Sequence, residues 1–350
     1  MNLFRNRVLA LATAVTAGLL LSLPVLAHQP AWIETFYSRR FYFALTGLLS
    51  PLTSAVPFSL SEICFYLGVL TMLALAGRLW RRRQWQRGLR NMLLGAALFV
   101  SWFYLAWGCN YFRAPIDEQL GLAGGTAPDS LAYRRHLEES IVATNNAWRP
   151  VPAWNLTGLD SLIECSLRRL LPELSLPLAP GSRRPKHLLM SAVLDYTLTS
   201  GFFSPFLHEI HLNAGLLPVE LPFVLAHEKA HQLGYARESE ASFLGVLASL
   251  ASTDSAVQYS GHLALLQHFL ARAALFKDAD SLRQRVRPEV RADLLAVQQR
   301  WQPYHGVVSH VTQRTYDAYL RANRVRGGRQ NYGEVVELMM RWREQPRQEK

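Results

Sequence analysis

Long apolar runs fill much of the first third of the chain, and they predict membrane-spanning helices. Three of them cover residues 8–27, 60–77 and 91–108, and each is close to the ~20 residues that an α-helix needs to cross a bilayer. A fourth apolar stretch, residues 41–58, contains two prolines, and we interpret it as an interfacial or re-entrant segment. The first run ends in VLA (25–27), which resembles a signal-peptidase site. We favour an uncleaved anchor over a signal peptide, because further spans follow.

Beyond residue 113 the apolar positions recur mostly at helical spacing. Helices are predicted over 157–171, 222–233, 238–251, 256–276, 288–301, 308–322 and 334–343. Asp129 is placed to cap one more. A strand-like run at 188–194 and a second strand or hairpin at 202–213 predict a small sheet. The predicted fold class is therefore mainly α with a small β-sheet (α+β), behind about three N-terminal membrane helices. The predicted domains are a membrane region, residues 1–112, and an external domain, residues 113–350.

The formal net charge of +11 is concentrated in a way that points to a membrane. Six arginines lie between the second and third apolar runs: Arg78, Arg81, Arg82, Arg83, Arg87 and Arg90. Positive charge between membrane spans marks the cytoplasmic side, whereas a nucleic-acid-binding arm is not normally bracketed by apolar segments. We therefore expect no nucleic-acid partner. With three spans, the part after residue 111 lies outside the bacterial cytoplasmic (inner) membrane.

The candidate chemistry lies in the stretch LAHEKAHQLGYARESEA, residues 225–241. His227 and His231 are four residues apart, so a helix places both imidazoles on one face, where they can bind one zinc ion. Glu228 stands beside the first histidine, within reach of a water molecule at such a site, and is the candidate general base. Two unrelated histidines on a surface helix are the alternative. The flanking sequence PFVLA (222–226) argues against it, because it predicts a buried helix.

A zinc site of this kind needs a third protein ligand, and the pattern alone leaves two candidates. Gly234 is placed to end the first helix, and a second helix beginning near Arg237 would bring Glu238 or Glu240 back towards the histidines. These two glutamates point about 200° apart on a helix, so only one of them faces the metal. Both share their helix face with apolar residues, and periodicity therefore does not decide between them. Arg237 is excluded because its guanidinium has no lone pair to offer.

The arrangement His-Glu-x-x-His followed by Arg-Glu-x-x-Ala resembles the zincin metallopeptidases of the glutamate-ligand type. That resemblance implies that Glu238, three residues before Ala241, is the third ligand, although the interval after His231 is very short. Further stretches resemble a bacterial membrane-protein family catalogued as domain of unknown function 3810 and zincin-like: SGFFSPFLHEIHLN (200–213), LPFVLAHEKAHQLGYARESEASFLG (221–245), YDAYL (316–320) and NYGEVVELM (331–339). The family brings no established substrate.

These observations predict a membrane-anchored, zinc-dependent metallopeptidase that hydrolyses a peptide or protein substrate at the cell envelope. The alternative is a non-catalytic, zinc-stabilised domain for binding or sensing. Weaker candidates were weighed against plain structural roles. His208, Glu209 and His211 lie on a predicted strand that would suit an edge along which substrate pairs. A histidine or tyrosine of the late helices could stabilise the oxyanion that forms during hydrolysis. The candidates are His305, His310, Tyr316, Tyr319 and Tyr332.

Overall fold

The computed structural model describes residues 2–83, 85–122, 129–273, 279–325 and 334–345. Within these ranges the chain is mostly helical and carries one small three-stranded sheet, so the coarse fold class predicted from the sequence is confirmed. Tyr332 and the predicted helical residues 274–276 lie outside the described ranges.

The N-terminal part is built from five helices and one stretch of wider π-helix. These are α1 (Asn2–Leu26), α2 (Pro30–Trp32), the π-helix (Ile33–Phe41), α3 (Tyr42–Ser54), α4 (Leu60–Arg82) and α5 (Trp85–Ala106). Two helical segments, Leu60–Arg81 and Gly88–Ala106, are long and apolar enough to cross a membrane. The described chain therefore has two such helices, or three if a bent pair formed by α1 and the helices after it is one span.

That bent pair changes the prediction for the first apolar run. Ala10–Leu26 meets the criteria for a span only together with Pro30–Ser54, and the two limbs are bent by 117°. The stretch predicted to be interfacial or re-entrant, residues 41–58, is thus largely the second limb of a broken span or re-entrant loop. The arginine-rich segment also differs from a simple loop, because all but one of its arginines belong to the ends of α4 and α5. Arg83, directly after α4, adopts a left-handed conformation with φ of 51°.

The remaining helices follow in chain order. They are α6 (Ile116–Gln119), α7 (Ser130–Ala147), α8 (Leu156–Glu173), α9 (Ala192–Tyr196), α10 (Leu221–Gln232), α11 (Glu238–Leu250), α12 (Ser255–Ala273), α13 (Ala279–Gln284), α14 (Pro288–Trp301), α15 (Val307–Ala322) and α16 (Glu334–Glu344). Short 3₁₀ turns cover Gly108–Phe112 and Gln302–Tyr304. As predicted, Asp129 caps α7, because its carboxylate accepts a hydrogen bond from the Ala132 N–H at 2.7 Å.

The sheet consists of β1 (Pro185–His187), β2 (Gly201–Ser204) and β3 (Glu209–Leu212) in the order β1-β3-β2. β3 is central, pairing parallel with β1 and antiparallel with β2. Two details predicted from the sequence are wrong. The apolar run after His187 is not a strand, and His208 lies in the β2–β3 turn with φ of 55° rather than on a strand.

The core joins both parts of the chain around α10 and α11. Ile33, Tyr37 and Trp107 of the N-terminal part belong to the same buried cluster as Leu225 and Phe243 of the two central helices. This shared core holds α10 from the side of the membrane helices.

On another side of α10, the fully buried Lys229 pairs with Asp160 at 2.6 Å and with Glu164 at 3.1 Å. These two carboxylates lie on α8. A lysine at this depth is tolerated because both partners satisfy its charge, and the pairing fixes the rotation of α10 about its axis.

Candidate metal centre

The α10–α11 hairpin brings the motif residues together through one tight turn. α10 ends at Gln232, Gly234 follows with φ of 87°, and α11 begins at Glu238. Glycine suits this turn for two reasons. A side chain is strained at that φ, and a Cβ there would lie 3.1 Å from the Tyr42 ring. The predicted role of Gly234 at the end of the first helix agrees with this geometry.

His227, His231 and Glu238 converge at the mouth of this hairpin, and their potential ligand atoms all lie within 4.8 Å of one another. The Glu238 Oε2 atom is 3.2 Å from His227 Nε2 and 3.6 Å from His231 Nε2. Glu240 points elsewhere: its Oε1 atom accepts hydrogen bonds from the Ile116 N–H at 3.1 Å and from Arg237 at 3.0 Å. The structure therefore places Glu238, rather than Glu240, beside both imidazoles.

The dimensions of this cluster suit a tetrahedral metal ion. Ligands bound to zinc at about 2.0–2.1 Å in a tetrahedron lie about 3.3 Å from one another. The two separations from Glu238 Oε2 bracket that distance. Two imidazole nitrogens and one carboxylate oxygen also form the donor set of open, three-ligand zinc sites.

Each imidazole is oriented by a contact to its other nitrogen. The Nδ1 atom of His231 lies 2.8 Å from the Tyr235 carbonyl oxygen, and the Nδ1 atom of His227 lies 3.2 Å from the Ser242 Oγ atom. A proton on Nδ1 of His231 leaves its Nε2 lone pair directed at the cluster. Such orienting partners are what metal-binding histidines usually have.

Electrostatics also hold the three side chains together. Although burial opposes charge on both groups, Glu238 raises the pKa of His231 to about 9, and the two imidazoles hold the pKa of Glu238 well below its usual range. A cation at this point would take the place of the proton on His231. Metal binding would therefore compete with protonation.

Glu228 lies beside the cluster and is buried, at 4% exposure. Its Oε2 atom has no hydrogen-bond partner among the described residues, and a Cβ on Gly201 of β2 would approach its side chain to 3.0 Å. Burial raises the pKa of this carboxyl, and nearby Glu238 raises it further, while the two histidines oppose the shift. A buried carboxyl with an unsatisfied oxygen next to a ligand cluster is suited to accept a proton from a bound molecule.

Among the described late-helix candidates, Tyr316 of α15 makes a hydrogen bond to the cluster. Its hydroxyl donates a hydrogen bond to Glu238 Oε1, and its ring stacks on Tyr319 at 5.9 Å. His305 and His310 are exposed on the surface instead. Tyr316 thus orients a candidate ligand, which is a different role from the oxyanion contact weighed in the sequence analysis.

The three polar residues predicted near the cleft on a strand serve the sheet and its junction with the membrane helices. His208 Nδ1 lies 3.1 Å from the Thr46 hydroxyl, and His211 Nε2 lies 2.8 Å from the Ser59 hydroxyl. Glu209 forms a buried ion pair with Lys186 at 2.5 Å. These residues do not join the cluster. Both β2 and β3 pack against α10; β2 is an edge strand, whereas β3 is central.

Residues of the N-terminal part hold the α10–α11 turn, and no pattern in the sequence predicts this. The Tyr42 hydroxyl donates to the Gln232 carbonyl at 2.7 Å, and the Trp107 indole N–H donates to the His231 carbonyl at 3.0 Å. Both carbonyl groups lie at the end of α10, where the regular helical hydrogen bonds stop, and the His231 carbonyl also accepts from the Gly234 N–H at 2.9 Å. The contacts span 190 and 124 positions of sequence, and local patterns carry no signal for them.

Arg113 supplies a third contact to the same turn. Its Nη1 atom donates to the Gly234 carbonyl at 2.9 Å, and its Nε and Nη2 atoms bind Glu34 at 2.7 and 2.8 Å. Both side chains are buried, and the guanidinium also stacks over the Tyr235 ring at 4.4 Å. A two-point pair of this kind fixes direction as well as distance, so the π-helix that carries Glu34 is coupled to the turn beside the candidate ligands.

The fold and the site define a mostly helical chain with two or three helices of membrane-spanning length and a buried His-His-Glu cluster. A family model described as "Protein of unknown function (DUF3810)" matches residues 37–340, and the chain belongs to this family. The predicted membership of domain of unknown function 3810 is thereby confirmed. No curated protein matches the chain, and no solved structure matches it either.

Proposed function

We propose that the chain is a membrane-anchored, zinc-dependent metallopeptidase of the zincin type. His227, His231 and Glu238 would bind zinc, and Glu228 would act as the general base. One observation carries this proposal: two imidazoles and a carboxylate whose oxygen lies 3.2 and 3.6 Å from their ring nitrogens stand beside a second, buried carboxylate whose Oε2 atom has no partner among the described residues. Chemically inert metal sites do not need such a carboxylate.

When bound, the zinc ion supplies Lewis acidity to a substrate carbonyl and to water. Glu228 would take the proton of the attacking water on its unpaired Oε2 atom and deliver it to the leaving amide nitrogen. Its raised pKa suits both steps, because a stronger base accepts a proton more readily near neutral pH. Tyr316 would keep Glu238 in position through its hydrogen bond.

A peptide substrate is favoured by the position of β2. This strand pairs with β3 on one side only, so its other edge is not part of the sheet, and Gly201 places that strand against Glu228. An extended peptide can add to an edge strand through backbone hydrogen bonds. Such pairing would carry a peptide bond past the carboxylate and the ligand cluster.

The proposal is tested with the full chain purified in detergent and loaded with zinc. The wild type should cleave a mixture of internally quenched peptides. Glu228→Gln should lower the cleavage rate at least 10²-fold, while its zinc content stays near one ion per chain. The matched control is Glu118→Gln, an exposed glutamate far along the chain from the motif. His231→Ala should lose both zinc and activity.

Two outcomes separate this proposal from its alternative. Zinc retained by the wild type with no cleavage of any peptide would favour a non-catalytic, zinc-stabilised domain for binding or sensing. Equal zinc in wild type and His231→Ala after dialysis would contradict the metal site itself.

A further inference from the structure

A cavity of about 380 Å³ opens beside the N-terminal half of α10. Its walls come from the α10 helix, the loop before it, and helices α12 and α14. The apolar part of the lining is formed by Val219, Phe223, Val224, Leu263, Val297 and Trp301. Its volume lies within the roughly 300–1,000 Å³ range of small-ligand pockets.

The cavity lies next to the candidate metal centre. Phe223 lies one helical turn before His227, and their rings are 6.1 Å apart. Ser200, another lining residue, immediately precedes Gly201 of the edge strand β2, which contacts Glu228. A peptide that paired along β2 would therefore pass the cluster with one side chain directed at this opening.

The chemistry of the lining selects against charge. Among the described residues that line the cavity, Glu220 is the only one that ionises at neutral pH, and Arg300 binds both of its oxygens at 2.9 and 2.8 Å. A charged ligand group would lose its hydration without gaining a free counter-ion. Two rim residues, Gln267 and Gln298, carry amides that can donate to and accept from a peptide backbone.

From this placement we propose that the cavity binds the aromatic or large aliphatic side chain of a substrate residue next to the cleaved bond. The proposal rests on the peptidase function proposed above and adds its substrate class: peptides with a bulky apolar residue at that position. The polar rim favours a peptide over a lipid acyl chain, which has no groups to pair with the two glutamines.

Binding to the Glu228→Gln form of the full chain tests the pocket separately from hydrolysis. The probes are fluorescein-labelled Gly-Ala-Xaa-Ala-Gly peptides with Phe, Leu, Ala, Asp or Lys at the varied position. We expect the Phe and Leu peptides to bind at least about tenfold more tightly than the Asp and Lys peptides. Ala264→Trp, which fills the cavity from α12, should remove that preference and leave the affinity for the Ala peptide within about twofold.

Two further variants guard against a folding artefact. Gln298→Trp covers the opening from its rim without changing the core, and should also reduce the preference. Ala292→Trp is the matched control, because Ala292 is exposed on α14 and outside the lining. A preference that survives both pocket variants would overturn the proposal, and so would equal binding of all peptides or binding of none. Selective binding to the Glu228→Gln form, with no cleavage by the wild type, would refute the proposed peptidase activity but support the proposed specificity of the cavity.

Discussion

Replacing Glu238 and Glu240 one at a time should separate the third metal ligand from a structural neighbour. Glu238→Gln keeps the size of the side chain but removes the charge from an oxygen that lies 3.2 and 3.6 Å from the two imidazole nitrogens. Changes in groups that merely orient ligands cost about 10–100-fold in metal affinity. Loss of an anionic ligand should therefore weaken zinc binding at least tenfold, which is about 1.4 kcal/mol or more.

Glu240→Gln should behave differently because its partners differ. A glutamine can still accept the hydrogen bond from the Ile116 N–H through its amide oxygen. It loses the charge pairing with Arg237, whose side chain is 25% exposed, and a weaker electrostatic attraction to Arg113. We expect a stability loss of about 1 kcal/mol or less. Zinc affinity should stay within about twofold of the wild type, since Glu240 is no ligand in this geometry.

The assay is an equilibrium competition between the full-length protein in detergent and a chromogenic zinc chelator. Zinc content after dialysis, measured by elemental analysis, provides an independent reading. A normal affinity in Glu238→Gln, or an equal loss in Glu240→Gln, would show that α11 is rotated relative to this structure. Glu240 would then be the ligand.

Three further predictions address stability, ligand orientation and topology. Although burial opposes ionisation, the hydrogen bond from Arg183 and the charges of Lys229 and Arg183 lower the pKa of Glu164 from 4.5 to about 2. The ionised carboxylate thus contributes about 3 kcal/mol to the free energy of unfolding above about pH 5, and this contribution is lost as the pH falls towards 2. Between pH 7 and pH 3, the free energy of unfolding measured with denaturant should therefore fall by about 2 kcal/mol more in the wild type than in Glu164→Gln. Tyr316→Phe removes the hydrogen bond to Glu238 and should weaken zinc binding about 10–100-fold in the chelator assay; unchanged affinity would contradict the orienting role. Reporter enzymes fused after Arg83 and after the last residue should report the cytoplasm and the outside, respectively, and the reverse pattern would refute the predicted orientation.

Local signals in the sequence were sufficient for the hairpin that carries the candidate site. The four-residue spacing of the histidines, the glycine that ends α10 and the aspartate that caps α7 each act within a few residues. The structure shows the corresponding helix boundaries within one or two positions. Such signals were sufficient because the start and end of a helix are set by capping residues that are close in sequence.

Tertiary contacts decided the features that the sequence could not give. Leu189 and Met190 have the composition of a strand, yet their N–H groups donate to the carboxylate of Glu62 at 2.8 and 3.0 Å, so they are not available to a sheet. The choice between Glu238 and Glu240 likewise depends on a remote group. The Ile116 N–H binds Glu240, and no periodicity within α11 contains that information.

The contacts of Tyr42 and Trp107 lead to a prediction about the domain boundary itself. The sequence divides the chain at residue 112, but both side chains lie before that boundary and bind carbonyl groups of the turn at Gln232 and His231. In the full chain, Tyr42→Phe and Trp107→Phe each keep an aromatic ring and remove one donor. Tyr42→Phe takes the donor from the Gln232 carbonyl and should cost about 1–3 kcal/mol, whereas Trp107→Phe should cost only about 0.5–1.5 kcal/mol, because the His231 carbonyl still accepts from the Gly234 N–H at 2.9 Å. Part of that cost should appear as weaker zinc binding, several-fold for each variant and more for the double variant, measured by chelator competition. Wild-type affinity in the double variant would show that the turn holds its shape without the membrane helices, and a fragment beginning at residue 113 should then bind zinc as tightly as the full chain.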